Sequence, residues 1–354
     1  MLGRARAAAT AYPGSVRYLQ IGLGHRSPDR PPVSTDLADL TRCALVLSRP
    51  VRGATSPVFT DLASALRQTD PDFVLCLSRA RQAPGLITQC VEAGRPVLTE
   101  APPATDAAGL ARLTALVDSG LVQVGQPYLH LPDQAAGLAV VGAGLIGRVN
   151  QVQICGPPAH GAIALIRAYL SAPGPAAGPV AGLTVADFGP ADGAPGPATR
   201  VVTLEFDAGL TGLYITIDRT NRAGRRADPE RADSGRADAA ATAQPWPRLI
   251  RGSTGQIAGA VWTDLSDAAT VATTRFQRST TAGSGSTLND IRLGDTVVWR
   301  NPRPRPGWSD VDIARGTILT EMMSFTRGDG PGPYRLADAL EDLRVSLAID
   351  QASA

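Results

Sequence analysis

Val16-Arg17-Tyr18-Leu19-Gln20-Ile21, followed by Gly22-Leu23-Gly24-His25-Arg26-Ser27, is the stretch that decides the fold. The first six residues read as a β-strand. Glycines at the end of a strand let the backbone approach a pyrophosphate closely, which marks a dinucleotide-binding turn. The motif departs from its pattern in one place: the third glycine is Ser27, and Pro28, Pro31 and Pro32 come next where a helix is due. Gly22, Gly24, His25, Arg26 and Ser27 are therefore the first cofactor-binding candidates. Arg26 either contacts a phosphate or, like His25, is a solvated loop residue.

Downstream, strand and helix alternate. Cys43–Leu47, Asp72–Leu77, Pro96–Thr99 and Leu121–Val124 read as strands, and the unbroken apolar run at 72–77 suits a strand buried on both faces. Residues 61–68, 84–93 and 106–118 read as helices, with Thr60 or Asp61 as N-cap of the first and Gly94 and Gly120 closing the other two. This alternation predicts a parallel sheet with helices on both faces. After residue 150 the pattern changes. Strands are expected at 151–154, 200–206, 211–217, 256–263, 269–276 and 296–299, with few helices between them, the clearest at 162–170. That predicts a mostly antiparallel sheet. Residues 219–247 carry Arg, Ala, Asp and Gly without aliphatic periodicity and read as a long exposed loop. Helices return at 311–325 and 336–350.

The resulting fold class is α/β: an N-terminal Rossmann-like parallel sheet domain, then an α+β domain with a large, mostly antiparallel open sheet. The expected map is a flexible tail over 1–15, the dinucleotide-binding domain over 16–130, a substrate and oligomerisation domain over 131–335, and a C-terminal helix over 336–354 packing back toward the first domain.

The chain has 354 residues, 44% of them hydrophobic, and a net charge of +2, which gives no electrostatic case for nucleic acid. Its basic residues are all arginine, so every mechanism that needs a lysine ammonium is excluded. Cys43, Cys76, Cys90 and Cys155 form no Cys-x-x-Cys pair and, with three scattered histidines, do not build a zinc site; no metal is expected. No apolar run is long enough to span a membrane. Residues 1–15 lack the apolar segment of a secretory signal, although their composition leaves an organelle transit peptide open; the cytoplasm is the expected compartment.

A second glycine motif, Gly142-Ala143-Gly144-Leu145-Ile146-Gly147, fits Gly-x-Gly-x-x-Gly letter for letter. A cofactor turn needs a helix after its glycines. Here Arg148–Ile154 alternates as a strand does, Pro157 and Pro158 come after it, and residues 132–141 read as a helix that the glycines would cap. The motif is read as a domain junction.

The order of these motifs resembles the Gfo/Idh/MocA oxidoreductase family, which includes glucose–fructose oxidoreductase and inositol dehydrogenase. The resemblance runs through Gly22-Leu23-Gly24, Phe59-Thr60-Asp61-Leu62, Asp70-Pro71-Asp72-Phe73-Val74, Glu92-Ala93-Gly94-Arg95-Pro96-Val97-Leu98-Thr99-Glu100-Ala101-Pro102, Gly144-Leu145-Ile146-Gly147-Arg148-Val149, His160-Gly161 with Leu165-Ile166-Arg167, and Tyr334 to Ala348. It implies hydride transfer between NAD(P) and a small-molecule substrate, a sugar, polyol or similar carbonyl/alcohol pair. It also implies a homo-oligomer, a dimer or tetramer, in which another subunit covers the open sheet.

Against that family the chain departs at several places. The lysine of its Glu-Lys-Pro motif is replaced by Ala101, while Glu100 matches the family's glutamate, which orients the cofactor or its loop. The second strand ends in Ser48-Arg49, with Arg52 nearby, and lacks the acid that holds ribose hydroxyls; a serine and arginine there suit a 2′-phosphate and favour NADP over NAD, unless the arginines are ordinary loop residues. The fourth strand ends in Ser78-Arg79, where relatives carry a proline and a histidine. His160 sits where relatives have a helix-start histidine, but the helix after it has no acid. His160 is either a general acid/base or a backbone-bonded helix-start residue; Tyr128 is either a proton donor or a packed aromatic, with His130 as a cationic neighbour. The catalytic candidates are thus His160 and Tyr128. Two functions fit: an NAD(P)-dependent oxidoreductase with a non-standard proton relay, or a catalytically degenerate relative acting as a binding, sensor or assembly protein.

Overall fold

The computed structural model describes residues 15–23, 36–49, 54–172, 174, 178–189, 198–218, 247–267, 269–283 and 285–352. Gly24, His25, Arg26, Ser27 and Arg52, and all of the expected 219–247 loop except Pro247, lie outside the described residues. The chain divides into two compact units: Met1–Gly125 with Ile318–Leu340, and Gln126–Thr317 with Glu341–Ala354.

In the first unit, β1 (Val16–Ile21), β2 (Leu40–Val46), β3 (Val58–Phe59), β4 (Phe73–Cys76), β5 (Val97–Glu100) and β6 (Val122–Gly125) form one sheet in the order β3-β2-β1-β4-β5-β6. Every pairing is parallel. All four residues of β4 are buried, as their unbroken apolar run requires of a central strand covered on both faces. The connecting helices are α1 (Leu62–Thr69), α2 (Ala83–Glu92) and α3 (Ala107–Thr114). Their starts are written locally. Asp61 accepts from the Ser64 amide at 2.8 Å and Asp106 from the Gly109 amide at 2.7 Å, each satisfying an orphan donor of the first turn. The helix expected to run to Asp118 stops at Thr114 and passes into a short 3-10 turn, Val117–Ser119. Beyond β6 the sheet is continued by an antiparallel bridge, Gln123 to Arg335, and the Val124 amide donates to the Tyr334 carbonyl at 2.8 Å.

The second unit carries a ten-stranded sheet of β7 (Val149–Cys155), β8 (Val180–Phe188), β9 (Ala198–Phe206), β10 (Leu210–Asp218), β11 (Arg248–Gly252), β12 (Gly255–Ala258), β13 (Val261–Asp264), β14 (Ala272–Thr281), β15 (Thr287–Leu293) and β16 (Thr296–Arg300). Its order is β16-β15-β14-β13-β12-β11-β7-β10-β9-β8. Only the β7–β10 pairing is parallel. Helices α4 (Pro127–His130) and α5 (Pro132–Gly142) precede β7, and α6 (Ala159–Ser171) comes after it. One cross-strand row, Leu183, Leu204, Gly212, Val152, Ile250, Ile257 and Trp262, faces the core. Gly212 is the gap in that row because Ile166 of α6 fills it; a Cβ there would stand 2.5 Å from the Ile166 Cγ2. On the opposite face the row runs Thr203, Leu213, Gln153, Leu249, Ala258 and Val261, and Leu213, Leu249 and Val261 are only half-buried.

The single strand expected at 256–263 is a hairpin, because Gly259 turns with φ +57° between β12 and β13. The strand expected at 269–276 begins at Ala272 and extends to Thr281. Three strands of this sheet were not foreseen: β8, β11 and β15.

Helices α7 (Asp310–Arg327) and α8 (Leu336–Gln351) complete the described chain. The expected C-terminal helix of 336–354 is α8, and the unit boundary falls within it: residues to Leu340 group with the first unit and those from Glu341 with the second. Within the second unit, Asp342 pairs with Arg167 of α6 at 2.8 Å, their side chains 2% and 14% exposed. Removing one member of so buried a pair strands the other charge, which costs about 3–5 kcal/mol. Asp342→Ala is therefore expected to lower the urea midpoint of this unit sharply, while Arg167→Met combined with Asp342→Leu restores most of the loss.

Candidate functional site

In the first unit the candidate residues collect along one edge, the carboxyl ends of the parallel strands. Gly22 comes directly after β1, Ser48 and Arg49 just after β2, Ser78 and Arg79 just after β4, and Glu100 ends β5. The order of strands reverses at β1, which lies between β2 and β4. In open α/β sheets, ligands bind in the crevice at that reversal.

Gly22 is the pivot of this edge. Its amide donates to the Val46 carbonyl at 3.0 Å, and the Leu77 amide donates to the Ile21 carbonyl at 2.8 Å, so the turn is seamed between the ends of β2 and β4. Its φ is +77°, and a Cβ would stand 2.7 Å from the Leu77 carbonyl oxygen. Both conditions demand glycine. A backbone cradle with no room for a side chain at the strand reversal fits the phosphate end of a dinucleotide.

Around that pivot the side chains are polar but unevenly presented. Ser48, Arg49 and Arg79 are exposed, and Glu100 and Ser78 are half-buried. The Cys76 thiol and the Ser78 hydroxyl lie 3.3 Å apart. Burial pushes the Cys76 thiol above its ordinary pKa, with the Ser78 hydrogen bonds opposing it and the Glu100 charge adding a smaller upward push. Cys90 is pushed up by burial to about 12. Neither thiol is a nucleophile at neutral pH. Ala101 donates its amide to the Gly125 carbonyl at 3.2 Å and offers no side-chain chemistry.

In the second unit the structure brings Tyr128 and His160 together, with ring centroids 6.3 Å apart and planes tilted by 59°. His160 is in the first turn of α6, which starts at Ala159, three residues earlier than expected. Gly161 permits the contact: a Cβ there would fall 2.3 Å from Cδ2 of Tyr128. Burial drives the pKa of His160 down to about 4, and that of His130 equally. Both imidazoles are neutral at pH 7, so His130 is not the cationic neighbour that would acidify Tyr128.

The letters of the second glycine motif hold a chain turn. Residues 132–142 are helical, Gly144 and Gly147 have φ of +74° and +68°, and β7 comes next. Gly147 is pressed against the β11–β12 turn, where a Cβ would meet Ser253 Oγ at 2.2 Å, and the Arg148 amide donates to the same Oγ at 3.1 Å. Among the described residues, no group of three or more His, Cys, Asp or Glu is placed to hold a metal ion, and no helix is long and apolar enough to cross a membrane.

No family model matches the chain, and no curated protein matches it in sequence. Solved structures do match it in fold along almost its whole length. An oxidoreductase from Agrobacterium radiobacter in complex with NAD+, L-tartaric acid and magnesium is 14% identical, with a TM-score of 0.63, covering 96% of each chain. The WlbA dehydrogenase from Chromobacterium violaceum in complex with NADH and UDP-GlcNAcA is 15% identical, with a TM-score of 0.60, covering 96% of this chain and 94% of that one. Aldose-aldose oxidoreductase from Caulobacter crescentus complexed with glycerol is 17% identical, with a TM-score of 0.59, covering 96% and 97%. At these identities the likeness shows the fold: a Rossmann-like parallel sheet followed by a mostly antiparallel one.

Proposed function

We propose that this chain is an NAD(P)H-dependent oxidoreductase acting on a sugar, polyol or similar carbonyl/alcohol pair, with a proton relay that contains no lysine. The observation that carries the reading is the Gly22 turn, closed to any side chain and set where the strand order reverses. The fold-level likeness to dehydrogenases crystallised with NAD+ or NADH supports it by analogy.

Gly22 would admit the pyrophosphate against the backbone, and Gly24, His25, Arg26 and Ser27, next in sequence, are the further proposed contacts. Ser48 and Arg49 receive the adenosine ribose, and the lack of an acid there favours its 2′-phosphate, hence NADP over NAD. Ser78, Arg79 and Glu100 line the same edge toward the nicotinamide. When bound, the nicotinamide supplies the hydride chemistry. His160 and Tyr128, whose rings pack together in the second unit, are the proposed members of the relay; burial holds the imidazole pKa at about 4, so His160 takes a proton only once bound substrate raises that value toward neutrality. The half-buried apolar residues on the free face of the ten-stranded sheet, Leu213, Leu249 and Val261, favour a homo-oligomer, a dimer or tetramer, through that face. We assign the protein to the cytoplasm.

Ala101 favours a second reading, a relative that has lost turnover and serves as a binding, sensor or assembly protein. Nicotinamide fluorescence separates the two. NADPH is expected to show enhanced emission on adding protein, at lower concentration than NADH, and His160→Gln is expected to lower kcat by about 10²- to 10⁴-fold on a polyol substrate with NADPH binding intact. Binding without turnover on any polyol or sugar supports the second reading, and no change with either nucleotide overturns both dinucleotide roles.

A further inference from the structure

Gln20 is a polar residue near the carboxyl end of the buried strand β1, 3% exposed, between Leu19 and Ile21. Burying an amide without partners costs free energy, so its partners are informative. Its Nε2 donates to the Gly22 carbonyl at 2.8 Å. Its Oε1 accepts from Arg42 Nη1 of β2 at 3.4 Å. Arg42 in turn donates through Nε to Ser56 Oγ at 3.3 Å and through Nη2 to Thr55 Oγ1 at 3.3 Å, and the Ser56 hydroxyl donates to the Arg42 carbonyl at 3.4 Å. Every acceptor of this guanidinium is neutral; among the described residues no carboxylate compensates it. A buried glutamine is not needed to hold a strand, and a half-buried arginine served only by neutral oxygens leaves its positive charge available to an anion.

The geometry of one peptide links these facts to a ligand. The C=O and N–H of the Gly22–Leu23 peptide are coplanar and opposed. Gln20 holds the carbonyl on the strand side, so the Leu23 N–H is turned to the other side, and among the described residues that N–H makes no backbone hydrogen bond.

We propose that Gln20 and Arg42 are positioning residues for the phosphate end of the dinucleotide: Gln20 fixes the Gly22–Leu23 peptide so that its N–H faces the anion, and Arg42 anchors Gln20 and supplies positive charge behind the turn. This rests on the dinucleotide reading of the Gly22 edge.

The test is calorimetric titration of the full chain with NADPH and NADH at several salt concentrations. Gln20→Met, near in shape and without the amide, is expected to weaken binding about 5- to 20-fold with an unchanged thermal midpoint. Arg42→Met is expected to weaken binding and flatten its salt dependence, while Arg42→Lys, which keeps the charge and loses the fork, retains the salt dependence. Should Gln20→Met fail to fold, the Arg42 pair still decides. Wild-type binding with both Met variants within twofold of it overturns the proposal and leaves the dinucleotide reading standing. Absence of wild-type binding to either nucleotide overturns that reading, and this one with it.

Discussion

Lowering the pH from 7.5 to 5 is expected to weaken the second unit by about 4 kcal/mol. His130 and His160 are each driven by burial from 6.5 to about 4. An unfolded chain returns both imidazoles to the ordinary value, so below 6.5 it binds protons that the folded unit refuses. The stabilisation is complete above pH 6.5 and is lost as pH falls through the window down to 4. Each imidazole accounts for about 2 kcal/mol at pH 5 and about 3 at pH 4. Glu341, held below its ordinary range chiefly by its Arg344 hydrogen bond, pulls the same way; Asp350, raised by burial, pulls the other. Glu321, in the first unit, has the opposite sign. Burial raises Glu321 to about 7, so the folded state takes up a proton that the unfolded carboxylate does not hold until about 4.5; that stability is present at low pH and lost as pH rises through 7. The measurement is direct because Trp262, Trp299 and Trp308 all belong to the second unit. The urea midpoint followed by tryptophan emission should fall steeply between pH 7.5 and 5, and His130→Gln should remove about half of the fall. A flat or rising midpoint would show that the two imidazoles are solvated.

How far such a chain can be read from its residues depends on what each element packs against. Phe73–Cys76 was legible because a strand covered on both faces must be apolar throughout, and α1 and α3 were legible because Asp61 and Asp106 serve as caps. The cross-strand partners on the ten-stranded sheet were not. Ala272–Thr281 was foreseen only as far as Phe276, the one residue of the strand that packs on the core; beyond it Gln277–Thr281 is Gln, Arg, Ser and Thr, with no apolar residue to betray the continuation. Val180–Phe188 hides for another reason: its Gly182 leaves space for the Glu205 side chain of the neighbouring strand, and a glycine reads as a break. At the site, the adjacency of Tyr128 and His160 depended on Gly161, whose significance lies in the missing Cβ and not in any motif. Residues 142–147 could be told from a cofactor turn because a strand, not a helix, lies beyond their glycines. Gln20 reads in sequence as one more strand residue. Its signal is there, a lone amide among aliphatic neighbours, but its meaning requires knowing that Gly22 and Arg42 stand within hydrogen-bond reach.

Replacing Gly22 by alanine should abolish dinucleotide binding, with affinity for NADPH falling by about 100-fold or more, and it does so by a route that no cofactor contact needs to explain. An alanine at φ +77° pays a left-handed backbone strain of about 1–2 kcal/mol. The larger effect is steric. The new Cβ would sit 2.7 Å from the Leu77 carbonyl oxygen, which is backbone and cannot swing aside as a side chain can. Either the turn lifts away from β4 or the end of β4 moves, and the seam formed by the Gly22–Val46 and Leu77–Ile21 hydrogen bonds opens with it. Ser78 and Arg79 are carried on the displaced segment, so both sides of the crevice shift together. The body of the sheet is held by separate ladders below this point, at Tyr18 to Phe73 and Leu19 to Val74. Circular dichroism should therefore remain that of the folded chain while calorimetry with NADPH shows no heat of binding. Gly94→Ala is the matched control: it bears the same sign of φ, at +68°, but a Cβ there meets nothing within 4 Å. It should cost a similar backbone strain and leave NADPH affinity unchanged. If both variants bind NADPH with the affinity of the unaltered chain, the strand-reversal edge is not where the nucleotide lies.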